Sequence, residues 1–174
     1  MNTEISIFKN PAFIGYLIKK MSEVYPGKQV GKTIVQKLIY LLVKKNTLSF
    51  RYSMFHYGPF SSEVAGELDY AENLDIVEIN WKYNEGYFIT PDKKIDRFEH
   101  LLTNDEKKQV DQVVQHFGSL SAADIFILAT AIFLKSRFDT PEQELPQVVH
   151  NLKPKYSIKT IKDIIKSHAS KMAF

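Results

Sequence analysis

Apolar residues recur at helical spacing through most of the chain, and each break in that rhythm carries a cap residue, a glycine or a proline. Asn10-Pro11, a cap residue followed by proline, predicts a first helix that runs to about Tyr25, where Pro26-Gly27 stops it. From Gly31 to Asn46 a second helix is apolar nearly all round, with Gln36, Lys37, Tyr40 and Lys44 as one narrow polar stripe. Such a helix belongs at the centre of a fold. Phe50 to Tyr57 is aromatic-rich without clean alternation, which predicts an extended segment ended by Gly58-Pro59. A third helix opens around Pro59 to Ser61, places Val64, Leu68 and Ala71 on one stripe, and ends near Asn73.

Two β-like runs follow, Asp75 to Trp81 and Tyr83 to Thr90, joined through Asn84-Glu85-Gly86 in the manner of a hairpin. Asp92 to His100 reads as a polar connector. Thr103-Asn104-Asp105-Glu106 is a capping box that opens a fourth helix, which ends at Gly118. Ser121 opens a buried fifth helix, and Thr140-Pro141-Glu142-Gln143 opens a sixth with proline in its first turn. After Lys153-Pro154, Ser157 caps a last helix with Ile158, Ile161, Ile165 and Met172 along one side. Three helices followed by a hairpin is the element order of a winged-helix unit. The fold class expected is therefore α+β and mainly helical: a winged-helix-like part over residues 1–100, packed on a helical part over residues 101–174 of the same unit.

At 174 residues and 44% hydrophobic, the chain carries enough apolar material for one well-packed domain. The absence of cysteine excludes disulfide frameworks, thiolate nucleophiles and cysteine-ligated metal centres. The first apolar run, Phe13 to Ile18, is interrupted by Gly15 and too short for a secretion signal, so a cytoplasmic address is expected. Leu120 to Leu134 falls short of the roughly 20 residues that cross a bilayer and contains Asp124, so a buried helix is expected there and no membrane.

Gln36-Lys37-Leu38-Ile39-Tyr40-Leu41-Leu42, then Phe55-His56-Tyr57-Gly58-Pro59-Phe60-Ser61, then Leu68 and Leu74-Asp75-Ile76, resemble in identity and spacing the YwgA-like family and its relative, the SocA-like Panacea antitoxin domain. Leu101 to Glu106 and Phe117-Gly118-Ser119-Leu120-Ser121-Ala122 fit the helix-Gly-helix of that superfamily, and the resemblance spans about residues 30 to 165. It implies a winged-helix-like antitoxin or interaction domain that contacts a protein partner, such as a cognate toxin of a toxin-antitoxin system, and has no established catalytic residues. Physically, Gly58-Pro59 is expected to make a tight turn that presets the next helix, with Phe55, Tyr57 and Phe60 packed beneath it.

The residues themselves point away from catalysis. The five histidines, at 56, 100, 116, 150 and 168, are widely spread and no two of them share a helical spacing, so no metal is expected. No dinucleotide, phosphate-loop or nucleophile-elbow glycine pattern occurs, so no cofactor is expected. Carboxylate pairs such as Asp105-Glu106 sit in helix first turns, where the macrodipole alone favours them. The expectation is a protein that is not an enzyme.

Charge order sharpens this. From Pro26 to Ser62 the charges are Lys28, Lys32, Lys37, Lys44, Lys45 and Arg51; from Glu63 to Glu78 they are Glu63, Glu67, Asp69, Glu72, Asp75 and Glu78. An acidic third helix repels phosphates that carry one charge per roughly 1.7 Å of duplex axis, so groove reading by that helix is not expected. The expected partner surface is Tyr57, Gly58, Pro59 and Phe60 with Glu63, Glu67, Asp69 and Glu72. The plainer alternative has the acidic helix pairing at the surface with the basic second helix, through Lys37 or Lys44. The rival function is a winged-helix DNA-binding regulator that uses the basic second helix and the stripe Lys155, Lys159, Lys162 and Lys166 on the last.

Overall fold

The helix with apolar residues on almost every face is the axis on which the rest is hung. In the computed structural model, which describes residues 3–171, it is α2 (Lys32–Lys44), and every residue from Ile34 to Leu42 is buried. Before it runs α1 (Thr3–Val24). After it come β1 (Ser53–Phe55), β2 (Gly58–Phe60), α3 (Ser62–Asn73), β3 (Val77–Lys82) and β4 (Gly86–Pro91). The second half holds α4 (Ile95–Phe98) with a following 3-10 turn, then α5 (Asn104–Phe117), α6 (Ala122–Phe138), α7 (Leu145–Leu152) and α8 (Ile158–His168). The fold is thus mainly helical, with two small antiparallel hairpins, β1-β2 and β3-β4, that do not pair with each other.

The main apolar cluster draws on both halves of the chain: Phe13 and Leu17 of α1, Leu38 and Leu41 of α2, Val113 and Phe117 of α5, and Leu128 of α6. Ile127, Leu134, Val149 and Ile161 form a second cluster that fastens α7 and α8 to the far side of α6. The helix starts follow their caps. Thr103 and Glu106 exchange both bonds of the capping box, and the Ser121 hydroxyl accepts from the Asp124 amide. In the β3-β4 turn Asn84 and Gly86 take positive φ, as a hairpin connection requires.

Four expectations are corrected. The first helix does not begin at Asn10-Pro11 but contains Pro11, because the preceding turns are held by tertiary contacts: Phe8 packs on Tyr70 and Phe98, and Asn10 donates to Glu67. The polar connector is not featureless; Ile95 buries itself in α4 and fixes the link. The sixth helix starts at Leu145, with Pro146 in its first turn, after a turn in which Pro141 accepts from Glu144 and Leu145. On α8, Ile161 and Ile165 are buried but Ile158 is exposed, and Met172 lies outside the described residues. Among the described residues no single helix is long and apolar enough to cross a membrane.

Candidate functional site

The segment expected to be one strand ended by a Gly-Pro corner folds back on itself. Ser53 pairs with Phe60, Met54 with Pro59 and Phe55 with Gly58, leaving His56 and Tyr57 as the turn. Gly58-Pro59 is therefore strand rather than helix-presetting turn, and α3 opens on Ser61, within the expected range, where the serine hydroxyl accepts from the Val64 amide. Gly58 holds φ +75° against α6; a Cβ there would lie 2.6 Å from Thr130 Oγ1 and 3.0 Å from the Phe126 ring. Only glycine fits that contact.

What holds this hairpin is the polar stripe of α2. Gln36 Nε2 donates to the Ser61 carbonyl at 2.9 Å, and Gln36 Oε1 accepts from the Ser61 amide at 3.1 Å. Lys37 Nζ donates to the Pro59 carbonyl at 2.8 Å. Tyr52 donates its hydroxyl to the Gln36 carbonyl, and its ring packs on Tyr40. Lys37 is 2% exposed and has no carboxylate partner among the described residues; burial, with the nearby Lys153 charge, holds its pKa down to about 8.

The polar stripe of α2 and the hairpin it pins are thus one unit. Pro59 is buried and Phe60 half-buried, but Phe55 and Tyr57 do not pack beneath the corner. They stand in solvent at the hairpin tip, 58% and 71% exposed. A cleft of about 200 Å³ opens between the tip, α2 and α3, and a larger one of about 610 Å³ lies on the other side of Tyr57, toward Lys153 and Tyr156.

The α3 carboxylates all have partners within the fold. Glu63 accepts from the Arg51 backbone amide at 3.0 Å and from its guanidinium at 2.7 Å, and these bonds hold its carboxyl below the usual range. Glu67 accepts from Asn10, Asp69 lies 3.7 Å from Lys32, and Glu72 accepts from the Ile79 amide. The pairing to α2 runs through Lys32 and not through the expected Lys37 or Lys44. Lys37 is buried on Pro59, and Lys44 lies over the Tyr40 ring. The basic block likewise divides among separate tasks, with Lys28 donating to the Ser119 and Leu120 carbonyls. On α8, Lys159, Lys162 and Lys166 are exposed along one face, and Lys155, also exposed, precedes the helix over the Tyr156 ring.

A second exposed aromatic group escaped the sequence reading. Trp81 and Tyr83 stand in solvent on the β3-β4 hairpin, and Tyr87 packs edge-on against Trp81 at 4.8 Å. Alternation along β3 puts Trp81 on the same face as buried Val77, so the strand pattern held no signal of its exposure. No protein-family model matches the chain, and comparison with curated proteins finds no match.

Proposed function

We propose that this chain is a non-enzymatic protein-interaction module, antitoxin-like in that it binds and masks a partner protein or presents it to others. In this reading α1 to β4 act as a winged-helix-like unit whose β1-β2 hairpin, and not a basic recognition helix, is the contact element. One observation carries it: two large aromatic side chains, Phe55 and Tyr57, are held in water at the tip of a hairpin whose backbone is fixed from below by Gln36 and Lys37. Exposed aromatics on a rigid support lose little conformational freedom on binding and are the residue type that anchors interfaces. The neighbouring α3 surface is acidic and suits a basic partner.

Affinity capture from the source cell, with mass spectrometry, tests this against a Phe55→Ala/Tyr57→Ala double variant. The expected result is one dominant protein held by the parent chain and reduced at least tenfold by the variant, whose melting temperature is unchanged. Sequence-specific duplex DNA binding at nanomolar Kd, with no protein partner dependent on the tip, would instead establish the DNA-binding regulator.

A further inference from the structure

The 200 Å³ cleft beside the hairpin tip has a fully buried lysine, Lys37, in its lining. Its walls are Val35, Val64, Leu68 and the Phe55 and Phe60 rings, which lie 5.6 Å apart. Two lysines, Lys32 and Lys37, line it, and no carboxylate does. Lys32 at least has Asp69 at 3.7 Å. Lys37 has one carbonyl: its Nζ reaches Pro59 O, between Gly58 and Phe60, the two β2 residues that form part of the lining.

An ammonium has three donors and a full charge, and burying it against apolar walls with one neutral acceptor leaves the charge uncompensated. Proteins resolve this by pairing the group, by coordinating an ion or by giving up the proton. The pKa held at about 8 leaves the ammonium as the main form at neutral pH. A ligand that supplies a negative charge and an apolar body would complete the site.

We propose that this cleft is a binding site for a small monocarboxylate, an acid with an aliphatic or aromatic body, whose carboxylate pairs with Lys37 and whose body lies between Phe55, Phe60 and Leu68. The cavity is below the range that holds drug-sized ligands, which restricts the body to about six to eight carbons. A polyanion such as a nucleotide is excluded by the apolar walls, and a neutral hydrocarbon leaves Lys37 uncompensated. The ligand would sit directly beneath Tyr57, also a lining residue, so occupancy and the hairpin tip are physically linked.

The test is calorimetric titration of the full chain with hexanoate and, separately, with hexanamide, which matches it in shape but lacks the charge. Hexanoate is expected to bind one to one and at least tenfold more tightly than the amide. Ala65→Phe fills the cleft from the half-buried face of α3 while keeping Lys37 itself, and should abolish binding at an unchanged melting temperature. Lys37→Met should remove the preference for acid over amide. Because that variant also leaves Pro59 O without its donor, the same point is read in the parent chain by NMR, where hexanoate should move the Lys37 side-chain resonance and raise its pKa. Equal affinity for acid and amide, binding undiminished by Ala65→Phe, an unmoved Lys37 resonance, or no binding up to about 10 mM would each overturn the site.

Discussion

Gln36 and Ser61, twenty-five residues apart, share two hydrogen bonds, the glutamine carboxamide giving one to the serine carbonyl and taking one from its amide. Both residues are buried, so this pair fixes where β2 ends and α3 begins. The Ser61 carbonyl also takes the first helical bond, from Ala65, whereas its amide has Gln36 as partner.

Gln36→Leu should therefore orphan one buried amide, and an unsatisfied group of that kind costs about 1–3 kcal/mol. Urea denaturation is expected to show a loss of about 2 kcal/mol with an unchanged m-value. Ser61→Ala, which keeps both backbone bonds and removes only the α3 cap, should cost about 1 kcal/mol. Equal losses in the two variants would show that the cap and not the carboxamide ring sets the junction.

Gly58→Ala introduces two independent penalties, a positive φ on an alanine and a Cβ 2.6 Å from Thr130 Oγ1. A loss of about 2 kcal/mol or more is expected. The Thr130 hydroxyl donates to Phe126 O of its own helix, so Thr130→Ala alone should be mild. Combined with Gly58→Ala it should recover part of the loss, since it relieves the clash and not the backbone strain. Melting curves of the two single variants and the double variant separate these contributions, and strict additivity would deny the contact.

The elements most legible in the sequence were those whose determinants lie within a few residues of one another. Thr103 with Glu106, Ser121 with Asp124, and Asn84 with Gly86 act over two or three positions, and the structure places each as its local chemistry requires. The continuation of α1 through Pro11 depends on Phe8 meeting Tyr70 and Phe98, partners that no local window contains. The β1-β2 hairpin was missed for a related reason. His56-Tyr57 is not a glycine- or asparagine-bearing turn, and the strands are held from outside by Gln36 and Lys37. Those two side chains were legible as a polar stripe. That the stripe faces a buried backbone and not water depends on residues 22 and 25 positions away. The acidic run on α3 was equally plain as a pattern, but its pairing with Arg51, Asn10 and Lys32 is a product of packing.

Lys37 makes stability depend on pH in a direction opposite to that of a salt-bridged lysine. Its pKa in the fold is held down to about 8, against roughly 10.4 in an unfolded chain. Between these values the unfolded state binds a proton that the folded state does not, so stability rises with pH through that window; below about 8 the full burial cost is present. Lys153 is the charge that presses on Lys37 from outside its helix. Burial pushes Tyr40 up to about 12, which destabilises the fold once tyrosines of the unfolded chain ionise, above about pH 10. The expected observation is a gain in unfolding free energy from pH 8 to about 10 that is absent in Lys37→Met. A parallel profile in both proteins would show that Lys37 titrates as it does in the unfolded chain.

Reversing charges on α3 separates carboxylates that hold the fold from those available to a partner. Glu63 binds both the amide and the guanidinium of Arg51 and so ties the chain leading into β1 to the first turn of α3. Asp69 faces Lys32 at 3.7 Å with its side chain 63% exposed, a surface geometry that typically contributes 0–1 kcal/mol. Glu63→Lys should lower the melting temperature by several degrees, because it breaks two bonds and places like charges together. Glu67→Lys/Asp69→Lys should move it by much less, losing only the Asn10 bond and the loose Lys32 pair. If a basic partner docks on this face, capture by the double variant falls at least tenfold while its fold is intact, and high salt weakens capture by the parent chain. Full capture by a stable Glu67→Lys/Asp69→Lys protein would remove α3 from the interface and leave the Phe55-Tyr57 tip to carry it alone.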